Sequence, residues 1–180
     1  MAEEIVYRHT VEGLFRSIGS RLTPDLKLRL REVGMDLDAE VPPNTSRQVF
    51  AEALRITVQH LHPEAPAEEG YRRLGVGIIQ GLAQTQLGKA LMSMWPIFGP
   101  ERVVVRIQES FETVNNYQKS ELISRGPADH LIRVSECNGN PGYLRGIIEA
   151  SLARAGARNL RVEPADFDGQ GCSYRVRWDP

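Results

Sequence analysis

The chain has 180 residues, of which 41% are hydrophobic and 25% charged, and its 22 Lys and Arg residues nearly balance 23 Asp and Glu residues, for a formal net charge of -1. This composition is typical of an ordinary globular domain, and it excludes a coiled coil, a collagen-like chain and general disorder. Chains of this size bury roughly 70% of the surface that their unfolded form exposes, so we expect a single domain over residues 1–180. A nearly neutral chain has no general attraction for polyanions, and no nucleic-acid partner is predicted.

The N-terminal segment indicates a cytoplasmic protein. It carries acidic residues where a signal peptide carries basic ones, and no apolar stretch follows. The most apolar segment, 74–98, is interrupted by polar and charged side chains, whereas a membrane span needs about 20 predominantly apolar residues. No transmembrane segment is predicted. Two cysteines, Cys137 and Cys172, are too few for a disulfide framework, and we expect buried, reduced thiols.

Apolar residues at three- and four-residue spacing predict helices in the first two-thirds of the chain. The expected ranges are 10–18, 24–33, 48–61 and 66–92, with a further short helix through 103–107. Thr23 followed by Pro24 is a strong helix start, because the hydroxyl can accept a hydrogen bond from a free amide and proline tolerates the first helical position. Residues 35–44 are predicted as a loop, and Thr45 or Ser46 as the cap of the helix that follows.

After Ser110 the helical spacing gives way to alternation, which is typical of strands. Strands are expected over 111–117, 130–135, 160–163 and 172–178, with one helix after the turn at 139–142. The last strand sets Cys172, Tyr174, Val176 and Trp178 on one face, as expected when one side of a sheet meets a core. The sequence therefore predicts an α+β fold, with N-terminal helices (about 10–108) packed on a C-terminal antiparallel sheet with one interposed helix (about 110–180).

Nucleotide-binding motifs fail on their spacing. Six residues separate Gly81 from Gly88 where a P-loop has four, and Ala90 stands where a P-loop has Ser or Thr. Three residues separate Gly77 from Gly81, whereas a dinucleotide fingerprint needs two. The chain has no HExxH, nucleophile elbow or paired-carboxylate motif. No cofactor is predicted, and no motif indicates catalysis.

Metal binding and a nucleic-acid surface find no support in the residue pattern either. Two-residue spacing puts His60 and His62 on different faces of a helix. A structural zinc site needs four ligands, of which Cys137 and Cys172 supply two. The C-terminal arginines are balanced by nearby acidic residues, which is typical of a solvated mixed-charge surface. No metal site is predicted.

Gly77, Gly81 and Gly88 lie near one face of the predicted helix over 66–92. Each glycine costs a helix about 1 kcal/mol relative to alanine, so we expect a close approach by another backbone or by a ligand. Two interpretations stay open. The face packs against a helix, either in the same chain or in a dimer, or it lines a narrow tunnel for an apolar ligand.

An aromatic segment follows this helix, with Trp95, Ile97 and Phe98 on either side of Pro96. The three side chains are predicted to lie in the core. A kinked aromatic segment can also form the mouth of a pocket, so Trp95 and Phe98 join the three glycines as candidate pocket residues.

A set of residues spread from 71 to 178 resembles the pattern of an uncharacterised family of about this length found mainly in myxobacteria. The residues that carry the resemblance are Tyr71, Gly75, Thr85, Gly88, Gly99-Pro100, Asn115-Asn116-Tyr117, Gly142, Gly146, Gly156 and the terminal Tyr174 to Trp178. This resemblance covers nearly the whole chain and implies no activity.

A second resemblance is confined to the C-terminal helix and strand. Residues 142–149 and 172–178 are similar to the C-terminal signature of four-vinyl-reductase-type domains, which share a superfamily with haem-based nitric-oxide sensors and the small subunits of the TRAPP tethering complex. The resemblance implies helices packed on an antiparallel sheet and a sensory or scaffolding module, commonly dimeric. The sensors hold haem with a histidine and a Tyr-x-Ser-x-Arg motif, and this chain lacks that motif, so the resemblance does not extend to haem.

The sequence thus predicts a non-enzymatic sensory, ligand-binding or scaffold module that forms a homodimer through the glycine-bearing helix. It is expected to hold a hydrophobic small molecule or a protein partner. The candidate pocket residues are Gly77, Gly81, Gly88, Trp95 and Phe98. The alternative is an enzyme of unknown reaction with a dispersed acid/base site, whose residues converge only in space, around His130, Glu136 and Asn116.

Overall fold

The computed structural model describes residues 3–180, with helices over most of the first two-thirds of the chain and the main sheet in the last third. The helices are α1 (Arg8–Ile18), α2 (Pro24–Glu32), α3 (Arg47–Leu61), α4 (Ala67–Leu82), α5 (Gln86–Met92), α6 (Trp95–Val114) and α7 (Pro141–Arg154). The strands are β1 (Ile5–Tyr7), β2 (Asn44–Ser46), β3 (Ser120–Gly126), β4 (Asp129–Val134), β5 (Arg158–Ala165) and β6 (Cys172–Asp179). Within residues 3–180, no helix combines the length and the apolar character that crossing a membrane requires.

The main sheet has four antiparallel strands in the order β3-β4-β6-β5. Ile132 of β4 lies opposite Tyr174 of β6, and both side chains are fully buried. Because side chains alternate between the faces of a strand, Val176 shares this inner face with them. Helix α7 packs against β5 and helix α6 against β3. The predicted α+β fold, with one helix interposed among the strands, is confirmed.

A small second sheet ties the N-terminus to distant parts of the chain. β1 pairs with β2, with Val6 opposite Thr45. The side chain of Asn116, just after α6, accepts a hydrogen bond from the Ile5 amide at 2.8 Å and donates one to the Glu3 carbonyl. These contacts, which we call the N-terminal clasp, hold residues 3–7 against β2 and against the segment that follows α6.

The predicted helix starts are confirmed at α2 and α3. The Thr23 hydroxyl oxygen accepts a hydrogen bond from the Leu26 amide at 3.2 Å. The Ser46 hydroxyl oxygen accepts one from the Val49 amide at 3.3 Å, so Ser46 rather than its neighbour caps α3. Each cap satisfies an amide that has no partner within its helix.

The predicted strand over 111–117 is wrong, because α6 continues through Val114. Four apolar side chains at helical spacing, none more than 5% exposed, hold the helix against the core: Val103, Val104, Ile107 and Phe111. The side-chain oxygen of Asn115 then accepts hydrogen bonds from the amides two and three residues further on, which turns the chain toward β3.

Helices α4 and α7 cross with their backbones in contact. A methyl group added at Gly75 would lie 2.2 Å from the Tyr143 carbonyl oxygen, and one added at Gly146 would lie 2.0 Å from the Arg72 carbonyl oxygen. Arg72 also reaches across the crossing to Glu149, with 2.7 Å between its Nη1 and the carboxylate. Glycine is therefore required at both positions by the neighbouring backbone.

Candidate functional site

The face of α4 that carries Gly77 and Gly81 is covered by α1 of the same chain. A methyl group at Gly81 would lie 3.1 Å from the Ser17 amide nitrogen and 3.2 Å from the Arg16 carbonyl carbon. At Gly77 the nearest atom would be Ser17 Cβ at 3.6 Å. At these two positions the structure therefore has packing against a helix of the same chain, which is one of the interpretations that the sequence left open.

Gly88 lies apart from the other two glycines, because the predicted helix over 66–92 is interrupted. Helix α4 ends at Leu82, and the Thr85 hydroxyl oxygen accepts a hydrogen bond from the Gly88 amide at 2.8 Å to start α5. A methyl group at Gly88 would lie 1.9 Å from the Leu82 carbonyl oxygen. Gly88 thus permits the tight turn between two helices.

Trp95 and Phe98 both pack against the main core, and Trp95 also packs against a second, smaller group of apolar residues. Trp95 is half-buried and covers a small cluster that is separate from the main core and consists of Ile79, Ala83 and Met92. Phe98 is half-buried against the main core, and the Arg106 guanidinium carbon lies 5.0 Å from the centre of its ring. Of the candidate pocket residues, Trp95 is the one that contacts this small cluster.

Helix α6 is kinked directly after Phe98. Gly99 has φ 73° and ψ 167°, a non-helical conformation in the left-handed half of the map, and Pro100 follows. Glycine tolerates this conformation and proline cannot donate the helical hydrogen bond, so the kink is encoded by these two residues. The kink therefore separates the short turn of residues 95–98 from the rest of α6.

Large apolar side chains are exposed around this kink. Ile97 is 73% exposed, Met94 42% and Val105 41%. We use the name kink surface for these three residues and the exposed part of Phe98, all of which lie between residues 94 and 105 of the chain. The prediction that Ile97 lies in the core is wrong, because its side chain is 73% exposed. Pro96 and the Gly99-Pro100 pair were the sequence signal for this exposure.

The structure places His130 of the alternative acid/base site apart from Glu136. His130 is buried on β4, its Nε2 lies 3.1 Å from a carboxylate oxygen of Glu101, and its ring is stacked on Trp178. Glu136 is buried beyond the other end of β4, roughly 20 Å along the strand by the usual rise per residue. Asn116 belongs to the N-terminal clasp.

Glu136 is held in a buried polar network. Arg47 forms an ion pair with its carboxylate, and the Asn138 amide donates a hydrogen bond to the other carboxylate oxygen at 2.7 Å. The Tyr117 hydroxyl donates a hydrogen bond to the Asn138 side chain at 2.7 Å, and burial raises the pKa of Tyr117. The Glu136 carboxylate is thus held by partners from distant parts of the chain.

Both thiols are buried on the inner side of the sheet. Burial raises the pKa of Cys137 to about 12 and raises the pKa of Cys172 as well, so both thiols are protonated at neutral pH. Nucleophilic or metal-binding chemistry needs the thiolate. Within residues 3–180, no group of three His, Cys, Asp or Glu side chains is placed to hold a metal ion.

The fold is similar to that of solved H-NOX structures. The H-NOX protein from S. oneidensis in the Fe(II)NO ligation state has a TM-score of 0.67 and 10% sequence identity, over 96% of this chain and 99% of that one. The Fe(II) unliganded H-NOX protein from K. algicida has a TM-score of 0.65 and 7% identity, over 96% and 95% of the two chains. A structure that probes the function of haem distortion in the H-NOX family has a TM-score of 0.61 and 15% identity, over 96% and 95%. At such identities the likeness is one of fold.

Haem iron is held in proteins by a histidine nitrogen, a cysteine thiolate or a tyrosine oxygen that faces a cavity of porphyrin size. Both thiols of this chain are buried and protonated, and its histidines do not fit haem. Of the four histidines, His9 is exposed, His60 contacts the Thr23 hydroxyl, and His130 is engaged as described above. His62 lines a cavity of about 300 Å³, which is too small for a porphyrin. The interior is filled by side chains no more than 1% exposed, among them Leu14, Phe50, Leu54 and Leu74.

No curated protein matches the chain. A family model does match, over residues 4–179, which is nearly the whole of the part that the structure describes. The family is described as "Protein of unknown function (DUF2378)". Because the match spans the helices and the sheet together, the chain belongs to this DUF2378 family.

Proposed function

We propose that the protein is a non-enzymatic scaffold module that self-associates through the kink surface. The observation that carries the proposal is the 73% exposure of Ile97, with Met94 and Val105 exposed on the same helix or next to it. Single exposed apolar residues are ordinary, but a group of large ones around a helix kink is typical of an interaction surface. The H-NOX-like fold provides a rigid support for such a surface.

A second copy of this chain is the partner that the surface suits best. Arg106, whose guanidinium carbon lies 5.0 Å from the centre of the Phe98 ring, supplies a charged group at the border of the apolar residues. Apolar centres with polar rims are usual in protein interfaces, and arginine is enriched there. Symmetric dimers are the commonest oligomers, and they bring the same patch of two subunits together.

Replacing Ile97 by glutamate should convert a dimer into a monomer. The substitution places two carboxylates where two isoleucines meet, which removes apolar burial and adds repulsion. Light scattering coupled to size-exclusion chromatography gives the mass of both proteins. Leu28→Glu on α2 is the matched control, because Leu28 is 55% exposed and lies outside the kink surface. A wild-type monomer at every soluble concentration, or equal effects of both variants, would contradict the proposal.

A second candidate function is the binding of an apolar small molecule beneath Trp95. The small cluster of Ile79, Ala83 and Met92 is separate from the main core, and Trp95 is the aromatic side chain that packs against it, beside Leu82, Ile147 and Ala150. Gly88 and Phe98 lie within seven residues of Trp95 in the chain. Gly77 and Gly81, packed against α1, would support such a site from behind.

Binding of this kind is expected to raise the thermal midpoint of unfolding and to add mass to the native protein. A ligand at one hundred times its dissociation constant stabilises the native state by about 2.7 kcal/mol. Palmitate is a suitable probe, with thermal shift and native mass spectrometry as the measurements. Trp95→Ala should abolish the shift while Trp178→Ala, at the far end of the sheet, should not. An unchanged mass and no shift would contradict this candidate.

A further inference from the structure

A cavity of about 300 Å³ lies where α3 ends and α4 begins, at the opposite end of α4 from the cluster beneath Trp95. Its wall is partly apolar, formed by Val58, Pro63, Ala65 and Ala67. Its polar side chains are Arg55, Gln59, His62 and Tyr71. A few polar groups that converge on an apolar wall are typical of a small-molecule site, and the volume is at the lower end of the range for such sites.

Two of the polar groups have hydrogen-bonding capacity to spare. His62 and Tyr71 are both half-buried, and within residues 3–180 neither the imidazole nor the phenol makes a side-chain hydrogen bond. Burial raises the pKa of Tyr71, so its hydroxyl remains a neutral donor at physiological pH. Half-buried groups of this kind are completed by water or by a ligand.

The surroundings of His62 are positively charged. Desolvation, together with the guanidinium groups of Arg21 and Arg73, lowers the pKa of His62, and Glu69 acts in the opposite direction. Arg73 is ion-paired with Glu69 at 2.8 Å, whereas Arg21 donates a hydrogen bond to the Ser17 carbonyl. The imidazole therefore faces an excess of positive charge.

Arg55 adds a donor on the other side of the cavity. Its Nε and one terminal nitrogen bond to Glu52, which leaves the second terminal nitrogen free for a ligand. Arg55 also lies near the Tyr71 hydroxyl, because its charge acts on the pKa of that group. Arg55 is thus the guanidinium group among the residues that line the cavity, and Arg21 and Arg73 add positive charge near His62.

We infer that this cavity binds a small organic carboxylate with a compact apolar body. The carboxylate accepts hydrogen bonds from Tyr71 and Arg55, and the apolar body lies against Val58, Pro63 and Ala65. A guanidinium binds a carboxylate through charge-assisted hydrogen bonds, which are stronger than neutral ones. The volume of about 300 Å³ accommodates a body about the size of one aromatic ring. This site is independent of the kink surface and of any self-association there.

Three probes separate the parts of this inference. Benzoate carries both the charge and the ring, benzamide keeps the ring without the charge, and acetate keeps the charge without the ring. Isothermal titration calorimetry on the full chain should give benzoate an affinity at least about tenfold above either of the others, because each lacks one set of contacts. Equal affinities for benzoate and benzamide, or heat from none of the probes, would overturn the inference.

Three variants test whether benzoate binds in this cavity. Tyr71→Phe should weaken benzoate binding several-fold without a change in the urea midpoint, since it removes only the hydroxyl. Tyr7→Phe is the matched control, because Tyr7 is a half-buried tyrosine on β1, outside the cavity. Ala65→Leu should block binding by filling the cavity. Undiminished binding in both Tyr71→Phe and Ala65→Leu would overturn the inference, as would equal losses in Tyr71→Phe and Tyr7→Phe.

Discussion

Replacing Gly146 by alanine should destabilise the protein by about 3 kcal/mol or more, beyond the usual cost of an added methyl group in a packed core. The new Cβ would lie 2.0 Å from the Arg72 carbonyl oxygen and 2.9 Å from the Val76 amide nitrogen. These atoms belong to the backbone of α4, so no side-chain rotation can relieve the overlap and the two helices must separate. Urea unfolding followed by circular dichroism measures the loss.

Gly77→Ala is the matched control for this prediction. Gly77 lies on α4, one of the two crossing helices, but the nearest atom to its added Cβ is Ser17 Cβ at 3.6 Å, an ordinary contact. Alanine is favoured over glycine within a helix by about 0.5–1 kcal/mol, so this variant should be as stable as the parent or more stable. If Gly146→Ala unfolds at the same urea concentration as Gly77→Ala, the close crossing of α4 and α7 is refuted.

Replacing Arg47 by methionine should destabilise the protein by about 3 kcal/mol, because removal of one partner leaves a buried charge without compensation. The Glu136 side chain is 3% exposed, and Arg47 supplies its ion pair. Arg47 itself is 28% exposed, which places the expected loss at the lower end of the range for buried pairs. Chemical unfolding of the variant and the parent at pH 7 gives this difference.

Two further variants test whether the loss of stability is specific to the ion pair of Glu136. Glu136→Gln in the Arg47→Met background should recover part of the stability, because an amide is less costly to bury than a carboxylate. Arg133→Met, which removes an exposed ion pair with Glu121, should change stability by less than about 1 kcal/mol. Equal losses in Arg47→Met and Arg133→Met, with no recovery in the double variant, would show that the Glu136 pair contributes nothing of its own.

The sequence predicted best those elements whose indicative residues lie within the element or at its ends. The alternation in β6 and the capping residues Thr23 and Ser46 act over a few residues, so local chemistry suffices. Around Phe111 two patterns overlap, because residues that alternate over 111–117 also continue the helical spacing from Val103. Burial against the core decides in favour of the helix, and the sequence carries no direct record of that burial.

The candidate site was harder to predict, for a related reason. Small residues at Gly77 and Gly81 indicate a close approach by some backbone, but the pattern does not say whether that backbone belongs to the same chain, and here it is α1. The exposure of Ile97 depends on the conformation of Gly99, because a kink at one residue changes the direction of the neighbouring chain as well. The cavity between α3 and α4 combines residues from 55 to 71 whose convergence follows only from the packing of two helices.

The N-terminal clasp sets an order of events during synthesis of the chain. The Ile5 amide and the side chain of Asn116 are 111 residues apart in sequence, yet they form one hydrogen bond in the folded protein. β1 leaves the ribosome first, and it cannot complete its contacts until α6 and the residues after it have been made. Until then Val6, which is 1% exposed in the finished fold, can pack only against the earlier part of its core, in α1, β2 and α3. Contacts between residues far apart in sequence slow folding. The strand β1 therefore stays incompletely packed until more than half of the protein has been synthesised.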